Sequence, residues 1–170
     1  MNEFTQSFQN LIHVLESEIK IYRDILGLVR TEKEFLVNSD LIQINENNRA
    51  KEVMILKIRG LEKQREKWTR ELALCLDINK EQIKISDLLL KINGEKAEKL
   101  RQCFVSLELL IKRIQEYNIE NEKMIQAALN NIKGTIDQIN ENKNASNITY
   151  KEKGKLEKKS LSGNIISKEV

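Results

Sequence analysis

The fold is decided by residues 97–139, AEKLRQCFVSLELLIKRIQEYNIENEKMIQAALNNIKGTIDQI. Core-type positions recur in this stretch after three and then four residues for about six heptads, which is the spacing of one face of an α-helix. These positions are Ala97, Leu100, Phe104, Leu107, Ile111, Ile114, Asn118, Asn121, Ile125, Ala128, Ile132, Thr135 and Ile139. We therefore predict one long helix from Glu95 to Ile139.

The length of this helix limits how it can pack. At 1.5 Å per residue it would be about 67 Å long, whereas two helices of about 35 residues would each reach about 50 Å. A straight helix would then extend beyond its neighbours, unless it bends near Gly134. The apolar face at its C-terminal end must contact a partner or fold back onto its own chain.

Two other long helices are predicted upstream, from Phe4 to Val37 and from Leu41 to Cys75. The polar break Asn38-Ser39-Asp40 between them contains three residues able to cap a helix. A tight turn at that place returns the second helix antiparallel to the first. A short helix is predicted at Leu88 to Ile92, with Ser86 and Asp87 as candidate caps before it and Asn93-Gly94 ending it.

Composition agrees with an all-α fold. The 170 residues include no proline and six glycines, with 5% aromatic and 32% charged residues. This is typical of helices that share a narrow apolar seam. We predict an elongated antiparallel bundle of three long helices plus a short connecting helix, comprising residues 1–139. Residues 140–170 are predicted to form a flexible basic tail that folds, if at all, on a partner.

The charge of the chain argues against two kinds of partner. Residues 140–170 contain seven lysines and four glutamates, so the whole formal charge of +3 lies in the tail. A tail of this density makes only weak, salt-sensitive contacts with nucleic acid or anionic lipid. No apolar run approaches the roughly 20 residues that span a bilayer. The first residues, MNEFTQSF, lack the features of a secretory signal, so a cytoplasmic protein without stable membrane insertion is expected.

The residues needed for catalysis or metal binding are scarce. His13 is the single histidine, and no cysteine stands at ligand spacing from it. Cys75 and Cys103 both fall beside apolar positions, where buried, reduced thiols are expected. We therefore expect a non-enzyme with no metal and no cofactor.

Three polar residues interrupt the apolar patterns, and one glycine lies inside a helix. Asn118 and Asn121 either hydrogen-bond across helices and define their register, or mark where the bundle ends and a partner surface begins. Arg65 is expected to extend along the seam and pair with a carboxylate. Gly60 lies inside the second helix, where it costs about 1 kcal/mol relative to alanine and so suggests close packing.

The order of several residues resembles the FlgN family of flagellar export chaperones. In that family a polar break near residue forty precedes a lysine and an arginine about fourteen residues apart, here Asp40, Lys51 and Arg65 in SDLIQINENNRAKEVMILKIRGLEKQR. An asparagine followed by apolar residues, here Asn121, comes later in the pattern. A tyrosine with a nearby glycine follows the last helix, here Tyr150 and Gly154.

This resemblance implies a function. Members of the family bind the C-terminal helices of the hook–filament junction proteins FlgK and FlgL, prevent their premature association, and deliver them to the flagellar export gate. The client helix would contact an apolar face on the distal half of the last long helix, here called the distal stripe: Ile125, Ala128, Leu129, Ile132, Ile136 and Ile139. Tyr150 would contact the export gate.

Two other functions are compatible with the pattern. A structural coiled-coil scaffold would dimerise through the last helix and have no client. An adaptor for membranes or nucleic acid would act through the tail, although its four glutamates dilute the basic charge. Mass in solution tests the first alternative, and the salt dependence of vesicle or DNA binding tests the second.

Overall fold

The computed structural model of the chain describes residues 3–146, 148–150 and 156–158, with side chains described as far as Glu141. The elements in chain order are α1 Glu3–Val37, α2 Leu41–Cys75, α3 Ile85–Leu89, α4 Glu95–Ser146, β1 Ile148–Tyr150 and β2 Leu156–Lys158. The predicted all-α fold of three long helices and one short connecting helix is confirmed. The packed structure divides into two units, residues 1–124 and residues 125–170.

Helices α1 and α2, each of 35 residues, form the predicted antiparallel hairpin. Asp40 caps α2, because its Oδ1 accepts a 3.1 Å hydrogen bond from the backbone N–H of Gln43. The contacts between the helices show this antiparallel order. Ser7, near the start of α1, contacts Glu71 near the end of α2, whereas Glu32, near the end of α1, contacts Lys51 in the first half of α2. The close packing expected at Gly60 is wrong, because nothing lies within 4 Å of where a Cβ would be placed.

The connecting segment differs from its prediction in detail. Helix α3 runs over Ile85–Leu89, three residues earlier than the predicted Leu88 to Ile92. The reason is that Asp87 does not precede the helix but lies in its first turn. From there its Oδ2 accepts a 2.9 Å hydrogen bond from the backbone N–H of Lys84, the residue before the helix. Gly94, with φ of 69°, occupies the left-handed region immediately before α4.

The main core lies in the first unit, where α1, α2, α3 and the start of α4 meet. Five leucines of this core have no exposed surface: Leu11, Leu15, Leu72, Leu88 and Leu100. Cys103 is buried among them as predicted, and burial raises the pKa of its thiol. The prediction of burial was wrong for Cys75, which is exposed at the end of α2.

The second unit contains the rest of α4 and a small hairpin. Helix α4 continues through Ile139 to Ser146, so the predicted boundary between bundle and tail falls inside a helix. Strands β1 and β2 pair antiparallel, with Ile148 opposite Lys158 and Tyr150 opposite Leu156. These strands were not predicted. Within the described residues, none of the helices is both long and apolar enough to cross a membrane.

Candidate functional site

A buried carboxylate joins the three long helices in the first unit. Glu32 on α1 is only 7% exposed. Its Oε1 accepts a 2.6 Å hydrogen bond from Lys51 Nζ on α2, and its Oε2 accepts a 3.1 Å hydrogen bond from Asn121 Nδ2 on α4. Breaking a buried pair of this kind is costly because it leaves an unpaired charge in a medium of low dielectric constant. Lys51 and Asn121 therefore hold the bundle together.

A second ion pair lies about four turns away along α1. Arg65 Nε on α2 donates a 3.0 Å hydrogen bond to Oε1 of Glu18, which is 1% exposed. The carboxylate partner predicted for Arg65 is thus found. Burial raises the pKa of Glu18, and the positive charge of Arg65 opposes that rise only in part.

The two asparagines on the apolar face of α4 differ in their surroundings. Cross-helix hydrogen bonding is confirmed for Asn121, whereas the core position predicted for Asn118 is wrong. Besides Glu32, Asn121 Nδ2 also donates a 3.0 Å hydrogen bond to the carbonyl oxygen of Val29, so its amide hydrogen-bonds across helices, which is the first of the two interpretations. Its Oδ1 is buried and finds no hydrogen-bond partner among the described atoms. Asn118 is exposed rather than in the core. Asn121 is also the last buried side chain of α4 in the part described.

The four residues of the family pattern that the structure describes therefore have structural roles. Asp40 caps a helix, and Lys51, Arg65 and Asn121 hydrogen-bond to buried groups of α1. Their positions in the pattern reflect how the helices are held together. The hydrogen bonds that these four side chains form are all made within the chain itself.

An open cleft of about 630 Å³ lies between α1, α2 and α4 in the first unit. A small apolar cluster of three buried residues, Ile25, Val29 and Ile58, lies at the base of this cleft. The lining residues are Tyr22, Ile25 and Val29 on α1, Ile114 and Asn118 on α4, and Asn48, Lys51, Glu52, Ile55, Ile58, Arg59 and Glu62 on α2. Sequence analysis missed this cleft.

The wall of the cleft on α2 is charged. Glu52, Arg59 and Glu62 alternate in sign along it, and the negative charge of Glu62 adds to the burial that raises the pKa of Tyr22. The missed signal was the spacing of these α2 residues, which follows threes and fours while mixing charged and aliphatic types. A face of that kind is easily taken for a solvated one.

The distal stripe lies on α4 in the second unit, and all of it faces solvent. The exposed fractions of its large members are Ile125 39%, Leu129 53%, Ile132 57%, Ile136 52% and Ile139 48%. Ala128 and every other residue from Ile125 to Glu141 are exposed as well. A continuous row of half-exposed aliphatic side chains is a usual mark of a binding surface.

The remaining predicted positions carry less structural information. His13 is exposed on α1. In the part of the chain that the structure describes, no three His, Cys, Asp or Glu side chains are grouped closely enough to hold a metal ion. The backbone of Tyr150 lies in β1, but its side chain, like the whole of Gly154, is outside the described residues.

Comparison with known proteins agrees with this arrangement. A family profile described as FlgN protein matches residues 1–158, which include both packed units as far as the end of β2. Searches among curated proteins and among solved structures gave no match. The chain belongs to the FlgN family, the flagellar export chaperones of hook-associated proteins.

Proposed function

We propose that this protein binds the C-terminal helices of junction proteins of the FlgK and FlgL type in the cytoplasm and delivers them to the flagellar export gate. The observation that carries the proposal is the distal stripe, whose five large aliphatic side chains are all 39–57% exposed on one helix. An amphipathic client helix offers the complementary apolar face. Covering that face would keep clients from associating before export.

The spacing of the distal stripe supports its proposed client-binding role. Ile125, Leu129, Ile132, Ile136 and Ile139 are separated by alternating fours and threes, which is the seam of a coiled coil. The intervening residues are mostly uncharged, for example Gln126 and Asn130, and the charged exceptions are Lys133 and Asp137. A client helix can therefore align along this seam while meeting few charges.

Energetics suggest that the distal stripe is not the whole site. Covering a half-exposed aliphatic side chain contributes about 1 kcal/mol, so five of them contribute about 5 kcal/mol before the cost of association. Micromolar to nanomolar binding corresponds to about −8 to −12 kcal/mol. Further contacts with the client are needed to reach that range.

The proposed mechanism requires binding and release but no covalent step, so we propose a non-enzyme that needs no cofactor. The equilibrium must favour the complex in the cytoplasm and release at the export gate. Tyr150 is the residue we assign to the gate. Replacing Tyr150 with alanine should leave client affinity unchanged and lower export of the client.

The test is isothermal titration of the full chain with a peptide from the C-terminal ~40 residues of the same organism's junction protein, which is long enough for an amphipathic helix of several turns. Saturable binding is expected for the wild type. The double variant Ile132→Asp, Ile136→Asp should lose binding while its helicity by circular dichroism is retained, because both side chains are already exposed.

A matched control is available on α2. Val53 and Leu56 are 51% and 64% exposed, and neither lines the cleft. The double variant Val53→Asp, Leu56→Asp should therefore bind the peptide as the wild type does. Loss of helicity together with binding in the stripe variant would show that the stripe is core. No binding by the wild type, together with a tight homodimer by sedimentation, would favour the coiled-coil scaffold instead.

A further inference from the structure

We propose that the cleft between α1, α2 and α4 is a second client site, which takes an amphipathic helical segment carrying a basic, an acidic and a basic residue along one edge of its apolar face. The inference rests on the proposed function, because the occupant is a segment of the same client. It adds a binding surface in the first unit and a charge rule for choosing clients.

The dimensions of the cleft suit a helix. Its lining on α2 extends from Asn48 to Glu62, which is about 21 Å at 1.5 Å per residue. Three to four helical turns cover that length. The α2 positions recur at threes and fours throughout, so the wall is one continuous helix face along which another helix can pack.

The apolar part of the cleft is accessible from the side. Ile55 on α2 is 46% exposed at its edge, and Tyr22 on α1 and Ile114 on α4 are half-buried. Beneath them lie the buried Ile25, Val29 and Ile58. Aliphatic side chains of a client entering between these walls would lose water without displacing any existing contact.

The charges on α2 select among apolar helices. Lys51 is already paired with Glu32 and is not available to a partner. Glu52, Arg59 and Glu62 form no ion pair with any side chain that the structure describes. A docked helix that places a base near Glu52, an acid near Arg59 and a base near Glu62 would satisfy all three, which favours specificity and rapid association.

The helices that form the walls of the cleft are fixed relative to one another before a client binds. The Glu32–Lys51 pair and the Glu18–Arg65 pair link α1 to α2 on either side of the apolar cluster. Asn121 links α4 to the same Glu32. A site with preset walls loses little conformational entropy when it is filled, which raises affinity for a given contact area.

The first experiment titrates the full chain with the same junction-protein peptide. Ile55→Asp is expected to weaken binding by about tenfold, the effect of a charge placed in an apolar contact. Val53→Asp, two positions away on the outer face, is the matched control and should bind as the wild type does. Melting temperatures of both variants are measured to confirm that they fold.

The second experiment tests the charge rule without disturbing the apolar wall. The double variant Glu52→Lys, Glu62→Lys should weaken binding several-fold near 0.05 M salt and less near 0.5 M, because salt screens exposed charges. A peptide in which the facing lysines or arginines are replaced by glutamate should restore affinity for this variant. Wild-type affinity in the double variant at low salt would overturn the charge rule.

The third experiment locates the occupant directly. In a Cys75→Ser background, Ile55→Cys is labelled with a benzophenone and irradiated with the peptide present; Cys103 is buried and so is largely shielded from the label. An adduct with the peptide is expected. An adduct that joins two copies of the chain, or no adduct while the peptide is bound, would overturn the proposal.

The outcomes separate this inference from the proposed function. If the distal-stripe variant loses binding and every cleft variant binds normally, the chaperone function stands and the cleft is not a client site. If both sets of variants weaken binding, the client spans both sites. If the wild type binds no peptide, both proposals fail.

Discussion

Asn121 Nδ2 lies 3.1 Å from Glu32 Oε2, so the last buried side chain in the described part of α4 is hydrogen-bonded to the carboxylate that also pairs with Lys51. One acidic group on α1 thereby joins both other long helices. The burial of Glu32 makes each of these hydrogen bonds more important, because water cannot replace a lost partner.

The structure predicts that Asn121→Ala destabilises the first unit. Removing the amide leaves one oxygen of Glu32 without its donor and removes the additional hydrogen bond to the helical carbonyl of Val29, which should lower the free energy of unfolding by about 1–3 kcal/mol. Urea denaturation followed by circular dichroism measures this change. Asn118→Ala, at an exposed position of the same helix, should change it by less than about 0.5 kcal/mol. Equal effects of the two substitutions would contradict the assignment.

The buried Glu18 predicts a pH dependence of stability. Its pKa in the folded state is raised above the ordinary value of 4.5, so the folded protein holds the proton more tightly than the unfolded chain. The contribution of Glu18 to the free energy of unfolding is therefore greatest when the pH is below that ordinary value, and it falls as the pH rises through the pKa of the folded state. Relative to Glu18→Gln, the wild type should lose stability as the pH rises from 4.5 through the raised pKa of the folded state.

Urea unfolding of both proteins across that range provides the measurement, with the exposed Glu66→Gln as control. If the wild type instead gains stability relative to Glu18→Gln as the pH rises, the favourable interaction with Arg65, at 3.0 Å, outweighs the effect of burial.

Replacing glycine with alanine is expected to change stability in opposite directions at different positions of this chain. Gly27 and Gly60 lie inside helices with nothing within 4 Å of an added Cβ, so each change to alanine should raise stability by up to about 1 kcal/mol. Gly94 has equal space but a φ of 69°, where alanine is strained by about 1 kcal/mol. Thermal denaturation of the three variants distinguishes these cases. Destabilisation by Gly60→Ala would show that α2 has a neighbour at that position.

Truncation after Ile139 should leave the first unit as stable as before. That unit ends at Met124, and all residues from Ile125 to Glu141 are exposed. The melting temperature should therefore change by less than about 4 °C. A larger decrease, measured by scanning calorimetry on the full chain and the truncated chain, would mean that residues 140–170 contribute to the packed structure.

Several features were predictable because they are local. The cap at Asp40 needs only the Asp40 side chain and the N–H of Gln43, and Asp40 was one of the three predicted candidates. The start of α3 was missed because Asp87 reaches back to Lys84, and sequence alone does not show which of two capping geometries is used. The burial of Cys75 was wrongly predicted because an apolar spacing near a helix end does not show whether another element covers it.

The sequence by itself determined that the chain is helical, where α1 and α2 begin and end, and that it belongs with flagellar export chaperones. Helix formation and periodicity depend on residues a few positions apart, which is why they can be read from the chain. Only the tertiary structure decided that Asn121 is buried while Asn118 is exposed, and that a cleft opens over Ile25 and Ile58. Those properties depend on the distance between helices that are far apart in sequence, and no local pattern contains that distance.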